Sequence, residues 1–277
     1  MIRTYKDRLD PTKKQQHLLG ALFSQMQTVY NDALNERRWY WQRSRRRVTY
    51  YDQWNRMRDE RHTLPAEMGM LNATALQQML RRVDKAYRAF YQGQRGAPRF
   101  KSIAYRHGDG CQLAGNRLYL QHVGNLRVKL HRPIPDDATI KQVVIKRGVG
   151  KWYVCLQLAL PDPEPVVHRG PAVGVDVGLH SLLALSDGTL IDNPRWLRGS
   201  LAKLRTAQRR LSRRKKYGSG WRKAARQVAK LQAHVANQRR DFWHKTTTDL
   251  ARKYSLIAVE DLKLSFMTHN GNLSLSA

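Results

Sequence analysis

Apolar positions change their spacing along the chain, and each change predicts a different kind of element. Tyr5 to Thr12 reads as a short strand ended by Asp10-Pro11. From Lys13 to about Arg47, Leu18, Leu22, Met26, Val29, Ala33 and Leu34 recur at helical spacing. Asn72 to Tyr91 repeats the habit, with Leu76, Leu80, Val83, Tyr87 and Phe90 predicted on one face. Residues 13–92 therefore read as a helical module with a charged, aromatic-studded face. After Gly93 the period shortens. Arg117–Leu120, Leu126–Leu130, Val143–Lys146 and Trp152–Leu158 read as strands separated by turns, which suggests a small β-barrel over residues 93–165. The opening strand, residues 1–12, could pair into that barrel and leave the helices as an insertion.

Pro161-Asp162-Pro163-Glu164-Pro165 is a stiff, extended stretch and the best domain boundary. Beyond it, residues 166–277 begin with a strand, Val173–Val177, and a second, Leu182–Ser186, closed by an Asp187-Gly188 hairpin turn. A long basic helical stretch runs from about Trp196 to Tyr254, interrupted near Tyr217-Gly218-Ser219-Gly220. A buried-looking strand, Leu256 to Glu260, comes last. A hairpin, helices and a returning strand indicate an α/β layer.

Charge narrows the function. The chain carries 51 Lys+Arg against 21 Asp+Glu, a formal charge of +30, while 41% of its residues are apolar. A compact fold with that excess repels itself unless a polyanion neutralises it, and nucleic acid is the obvious partner. A ribosomal-type RNA scaffold protein and a membrane-surface protein are the rivals on charge alone. No run of about eighteen apolar residues exists and the first residues open no signal peptide, so no membrane partner is expected. Cys111 and Cys155 are isolated, with no C-x-x-C pair, so residues 1–277 are not expected to bind zinc. Two scattered thiols fit a reducing cytoplasm, and both read as structural.

The candidate chemistry lies in two carboxylates. In Gly174-Val175-Asp176-Val177-Gly178, alternation puts the valines on one face and Asp176 with its glycines on the other. A carboxylate so flanked has room for a hydrated Mg²⁺ and a phosphodiester. Glu260 ends the later strand and Asp261 follows it, and only one of these neighbours can share a site with Asp176. Carboxylates at strand ends are also common as turn or cap residues, so spacing alone leaves both readings open.

Several blocks resemble the TnpB family of transposon-encoded RNA-guided nucleases, relatives of the Cas12 effectors. They are Gly174-Val175-Asp176-Val177-Gly178-Leu179, Asn193 to Leu197, Gln208 to Lys216, Asn237 to Lys245 and Val259-Glu260-Asp261-Leu262, in that order. Tyr5 to Thr12, Ala75-Leu76-Gln77, Ala86 to Phe90 and Gly96 to Lys101 are weaker matches upstream. The resemblance implies an RNase H-like RuvC domain over 166–277, preceded by a wedge β-barrel carrying an inserted helical recognition module. It implies that Asp176 and Glu260 are two of three carboxylates holding a pair of catalytic Mg²⁺ ions. It implies a guide RNA from the transposon end, a target double-stranded DNA with a short adjacent motif, and a prokaryotic cytoplasmic, nucleoid-associated setting.

Members of the family continue into a C-x-x-C…C-x-x-C zinc-binding insert and a third Asp, whereas no acidic residue follows Asp261 here. Gly271 to Ala277 resembles the family where its next helix begins. The expectation is therefore an incomplete RuvC site in residues 1–277. Two functions follow from it: an endonuclease if the third acid is supplied, or a nuclease-inactive RNA-guided DNA binder acting as a roadblock or repressor. A basic RNA-binding structural protein is a third, which leaves Asp176 and Glu260 unexplained.

Binding residues follow from charge and from the resemblance. Arg209, Arg210, Arg213, Arg214, Lys215 and Lys216 form a run without interleaved acids, suited to lining a channel for an A-form guide–target duplex. Arg99 and Lys101 lie in a basic turn assigned to nucleic acid. Tyr50 and Gln77 match family positions near the short duplex motif, and Gln can read adenine bidentately; a plain surface Gln on a helix is the alternative. Arg43, Arg45, Arg46 and Arg47 with Tyr50 and Tyr51 offer cations and stacking faces. His244 is assigned no catalytic role, and packing is expected for at least some of Trp39, Trp41 and Trp54.

Overall fold

The structure, a computed structural model, describes residues 1–60, 71–94, 96, 98, 102–162, 169–178 and 181–261. Arg99, Lys101, Leu179, Leu262 and Gly271–Ala277 lie outside the described residues, as does most of the proline-rich stretch before residue 166. The chain divides into two compact units, Met1–Pro163 and Glu164–Ala277.

The first unit opens with β1 (Ile2–Asp10), α1 (Lys13–Ser44), α2 (Tyr50–Glu60) and α3 (Ala73–Tyr91). It continues with β2 (Ser102–Arg106), β3 (Cys111–Ala114), β4 (Arg117–Leu120), β5 (Gly124–Lys129), β6 (Thr139–Arg147) and β7 (Trp152–Ala159). The strands form a nearly closed, barrel-like antiparallel sheet in the order β2-β6-β7-β1-β5-β4-β3. β1 is its middle strand: Ile2 pairs with Ala159 and Leu9 with Trp152 on one side, while Arg8 to Asp10 pair with Lys129 to Arg127 on the other. The first strand does pair into the sheet, and the three helices are an excursion between β1 and β2.

Local sequence explains the helix ends. Thr12 and Gln15 form a reciprocal capping box, with Gln15 N–H donating to Thr12 Oγ1 (3.3 Å) and Thr12 N–H to Gln15 Oε1 (3.0 Å). α1 stops at Ser44, short of the expected Arg47, because Arg45 turns to the left-handed region (φ 53°) and returns its N–H to Trp41 O. The inward stripe of α1 runs through Leu19, which is fully buried, rather than Leu18. Asn72 caps α3 by accepting from Ala75 N–H (3.1 Å). Phe90 departs from its expected face and is 42% exposed, because in the last turn the rings pack on one another: Tyr91 stacks on Tyr87 and Phe90 leans on Tyr91.

Helices and sheet share one hydrophobic core. Leu19, Leu22 and Met26 of α1 and Leu80 and Val83 of α3 are buried with Leu118, Leu126 and Leu156 of the sheet. Phe23 meets the edge of Trp152 at 5.0 Å. Each such side chain contributes about 1.5–3 kcal/mol on burial, so the helical excursion and the sheet stabilise each other. Both cysteines are buried and unpaired, and burial pushes the Cys111 thiol up to about 12.

The second unit has β8 (Ala172–Asp176), β9 (Ser181–Leu185), β10 (Leu190–Asp192), α4 (Trp196–Ser212), α5 (Ser219–Lys253) and β11 (Leu256–Val259). Its sheet runs β10-β9-β8-β11, with β8–β9–β10 antiparallel and β11 parallel to β8. A parallel return needs a crossover, and α4 and α5 supply it. Gly188 (φ 84°) makes the β9–β10 turn. The fold class is thus α/β together with a barrel-like antiparallel sheet.

Expectation and structure differ at β11. Its apolar run reads as buried, yet Leu256 is 64% and Val259 60% exposed. Among the described strands β11 pairs with β8 alone, and only Ile257 packs against the core of Val173, Val175, Leu183, Leu185 and Tyr254. The short strands β2, β3 and β10 were not predicted.

Candidate active site and nucleic-acid interface

Asp176 is the last residue of β8. Val173 and Val175 point into the core, so Asp176 projects from the opposite, exposed face. β11 pairs with β8 in the register Leu256–Ala172 to Val259–Val175. Glu260, the next residue, therefore follows beside Asp176 at the carboxyl ends of two parallel strands, where open α/β sheets bind ligands. Both carboxylates line one open depression of about 570 Å³, together with Gly174, Ala184, Ser186 and Ala258. Asp261 does not line it.

The flanking glycines do different work. A Cβ at Gly174 would meet only Ser186 at 3.6 Å, an ordinary contact, so crowding does not require glycine there; its absence keeps the depression open. A Cβ at Gly178 would lie 2.9 Å from Ser181 O, so that position needs glycine. Gly174 N–H donates to Ser186 Oγ at 3.0 Å, which ties the floor to β9's end. Among the described residues no group of three His, Cys, Asp or Glu converges to hold a metal. Asp176 and Glu260 stand as a pair.

The basic run falls at the α4–α5 hairpin. Arg209 and Arg210 close α4, Arg213 is its C-cap, and Arg214, Lys215 and Lys216 form the connection. All six are exposed, and none forms an ion pair among the described residues. Lys216 Nζ lies 5.4 Å over Tyr217, a ring 67% exposed at the same tip.

Tyr50 starts α2 and is partly buried against the core, while Gln77 is half-buried on α3. Sequence reasoning missed Arg81. It stands one turn after Gln77 on the same helix face, and its guanidinium lies 5.5 Å over the Tyr50 ring. The i, i+4 spacing from Gln77 was the available signal. Trp54 is half-buried against the core, Trp39 is 49% exposed, and His244 is exposed on α5.

Comparison with known proteins places the chain. Residues 155–271 match the OrfB_IS605 family, described as "Probable transposase", and residues 1–46 match HTH_OrfB_IS605, a "Helix-turn-helix domain". A Streptomyces pristinaespiralis protein named "Putative RNA-guided DNA endonuclease" is 32% identical over 281 residues, covering 98% of this chain and 70% of that protein. The chain belongs to the TnpB family.

A second relative, "Putative RNA-guided DNA endonuclease InsQ" of Escherichia coli K12, is 34% identical over 199 residues. That match covers 70% of this chain and 49% of InsQ, so the chain spans about half the length of this TnpB relative. In this TnpB-family chain the helix-turn-helix match falls on a strand and one uninterrupted helix, β1 and α1. A Cas12f1–sgRNA–target DNA complex shares the fold at a TM-score of 0.55 and 12% identity, over 95% of this chain and 82% of that one. No described helix is long and apolar enough to cross a membrane.

Proposed function

We propose that the chain is an RNA-guided DNA-binding protein whose second unit carries the RuvC-like site of a double-stranded DNA endonuclease. One observation supports this above the others: the parallel register of β8 and β11 sets Asp176 and Glu260 side by side over one open depression. Their oxygens suit a hard cation, and the bare Gly174 leaves room for a phosphodiester. Held by Asp176 and Glu260, Mg²⁺ would supply an activated water and stabilise the leaving oxygen of hydrolysis. Two carboxylates return two negative charges against the four positive charges of an ion pair, so a further carboxylate and the substrate phosphate are needed to hold both ions.

The charge of +30 and the exposed cations of the α4–α5 hairpin suit two long polyanions, a transposon-end guide RNA and its DNA target. Tyr50, Arg81 and Gln77 are the candidates for the short motif beside the target. On this reading residues 1–12 and 93–165 form the wedge barrel, 13–92 the recognition module and 166–277 the RuvC-like domain, working in a prokaryotic cytoplasm. A second reading is binding without cutting, which holds if no third metal-holding group joins Asp176 and Glu260.

The test is a binding and cleavage assay with guide RNA, matched target and Mg²⁺, for the wild type and for Asp176→Ala and Glu260→Ala. Cleavage lost in both variants, with target binding kept within about twofold, supports the endonuclease. Guide-dependent binding without cleavage assigns the second reading. Absence of guide-dependent binding overturns both.

A further inference from the structure

A cavity of about 560 Å³ lies in the first unit, where the end of α1, the α1–α2 connection and the end of α3 meet. Arg37 and Trp41 line it from α1, Arg46 and Arg47 from the connection, and Tyr91 and Gln92 from α3. Its volume falls in the range that encloses small-molecule ligands.

Arg37 is held rigidly at the cavity wall, 8% exposed. Its Nε donates to Gln53 Oε1 (2.9 Å) and its Nη1 to Asp84 Oδ1 (3.2 Å), and its guanidinium carbon lies 5.4 Å over Tyr87. Gln53 is fixed in turn, because its Nε2 donates to Ala33 O (2.9 Å) and Glu36 Oε2 (2.7 Å). Arg37 Nη2 is buried with no hydrogen-bond partner among the described residues. An orphaned donor on a buried cation is costly, and it leaves this part of the wall polar. Rings stand beside it: Tyr91, 67% exposed, stacks on buried Tyr87 at 5.8 Å, and Trp41 carries Arg45 over its face at 5.6 Å. Exposed rings with arginines are how proteins take unstacked bases, and a paired, stacked base cannot enter a concave site.

One carboxylate also lines the cavity. Asp84 accepts from Arg37 and from Arg88 Nη2 (2.6 Å), and its oxygens keep further lone pairs. It would repel a bare phosphate but accept from a ribose 2′-hydroxyl, which DNA lacks.

We infer that this cavity binds a single unpaired ribonucleotide of an RNA, base against Tyr91 and Trp41, phosphate on Arg46 and Arg47, and 2′-hydroxyl toward Asp84. The inference names an RNA contact for the reading above, yet its test needs neither guide nor cleavage. The whole chain is titrated with the 5′-monophosphate of 2-aminopurine riboside, whose fluorescence falls on stacking. A saturable quench is expected, about threefold or more weaker for the deoxy analogue and about tenfold weaker in Tyr91→Ala. Tyr91 is exposed enough for that variant to fold, and Lys141→Ala, at an exposed cation on β6, should bind as wild type. No saturable quench, or an unchanged Tyr91→Ala, overturns the site. Equal ribose and deoxyribose affinities overturn its assignment to RNA. An intact quench in a protein that shows no guide-dependent binding would sink the function proposed above and leave this site standing.

Discussion

The Tyr254 hydroxyl donates to Asp187 Oδ2, and Lys253 Nζ reaches the same oxygen at 3.0 Å. That contact fastens the end of α5 to the β9–β10 turn. Ser255 N–H then donates to Pro171 O (3.0 Å), which starts β11 in register with β8. The same start sets where Glu260, just past β11, falls beside the end of β8.

The Asp187 carboxyl is held well below its usual range by the Tyr254 hydroxyl first, then by Lys253 and Thr189 N–H. A depressed carboxylate adds stability above the unfolded pKa of about 4, and that stability is lost as pH falls further. Asp187→Asn should therefore lower the thermal midpoint at pH 7, with the gap to wild type narrowing below about pH 4. Melting curves at pH 7 and pH 3 check it; a gap that widens in acid contradicts the contact. Tyr254→Phe should also reduce any Asp176-dependent cleavage, through the position of Glu260.

Replacing Arg213, Arg214, Lys215 and Lys216 with Ala should weaken nucleic-acid binding for every sequence. The slope of log K against log salt should flatten by about one unit for each lost phosphate contact. Binding isotherms across a salt series read this directly, and an unchanged slope in a folded variant means the hairpin tip faces bulk solvent.

Gly174 and Gly178 separate folding from function. Gly178→Ala puts a Cβ 2.9 Å from a backbone oxygen and should cost about 1–3 kcal/mol in denaturant unfolding. Gly174→Ala makes an ordinary contact and should cost under about 1 kcal/mol, yet it adds a methyl to the depression and should weaken Mg²⁺-dependent cleavage. A severely destabilised Gly174→Ala would refute that division.

Gln53 joins Arg37 to α1's backbone and is 1% exposed. Gln53→Leu strands those groups and should destabilise the first unit by about 1–3 kcal/mol, measured by urea unfolding. Full stability would mean that the network contributes nothing.

Strong alternation made β4, β7 and β8 legible, because each has one face in a core. β2 escaped notice because Ile103, Ala104 and Tyr105 are buried on both faces and leave no alternation. β11 misled for the opposite reason: an apolar run does not say whether a neighbour covers it. The site was half legible. Spacing put Asp176 on the open face of its strand, but the partnership with Glu260 depends on a parallel pairing across some eighty residues, β9, β10 and the helical hairpin, which no local pattern encodes. Arg37 was invisible as a buried residue, since a charge in a helix ordinarily reads as solvent-facing.

A middle strand at the beginning of the chain sets a timetable. β1 waits for β5 and then for β7, which lies about 150 residues downstream. At ribosomal rates of about 5–20 residues per second, that strand emerges roughly 8–30 s before its main partner exists. Contacts so distant in sequence are slow to close. Nascent chains therefore carry Tyr5 and Leu9 without their main strand partner until Trp152–Ala159 emerges. Translation pauses before that point should expose the chain to aggregation, and pauses after it should not.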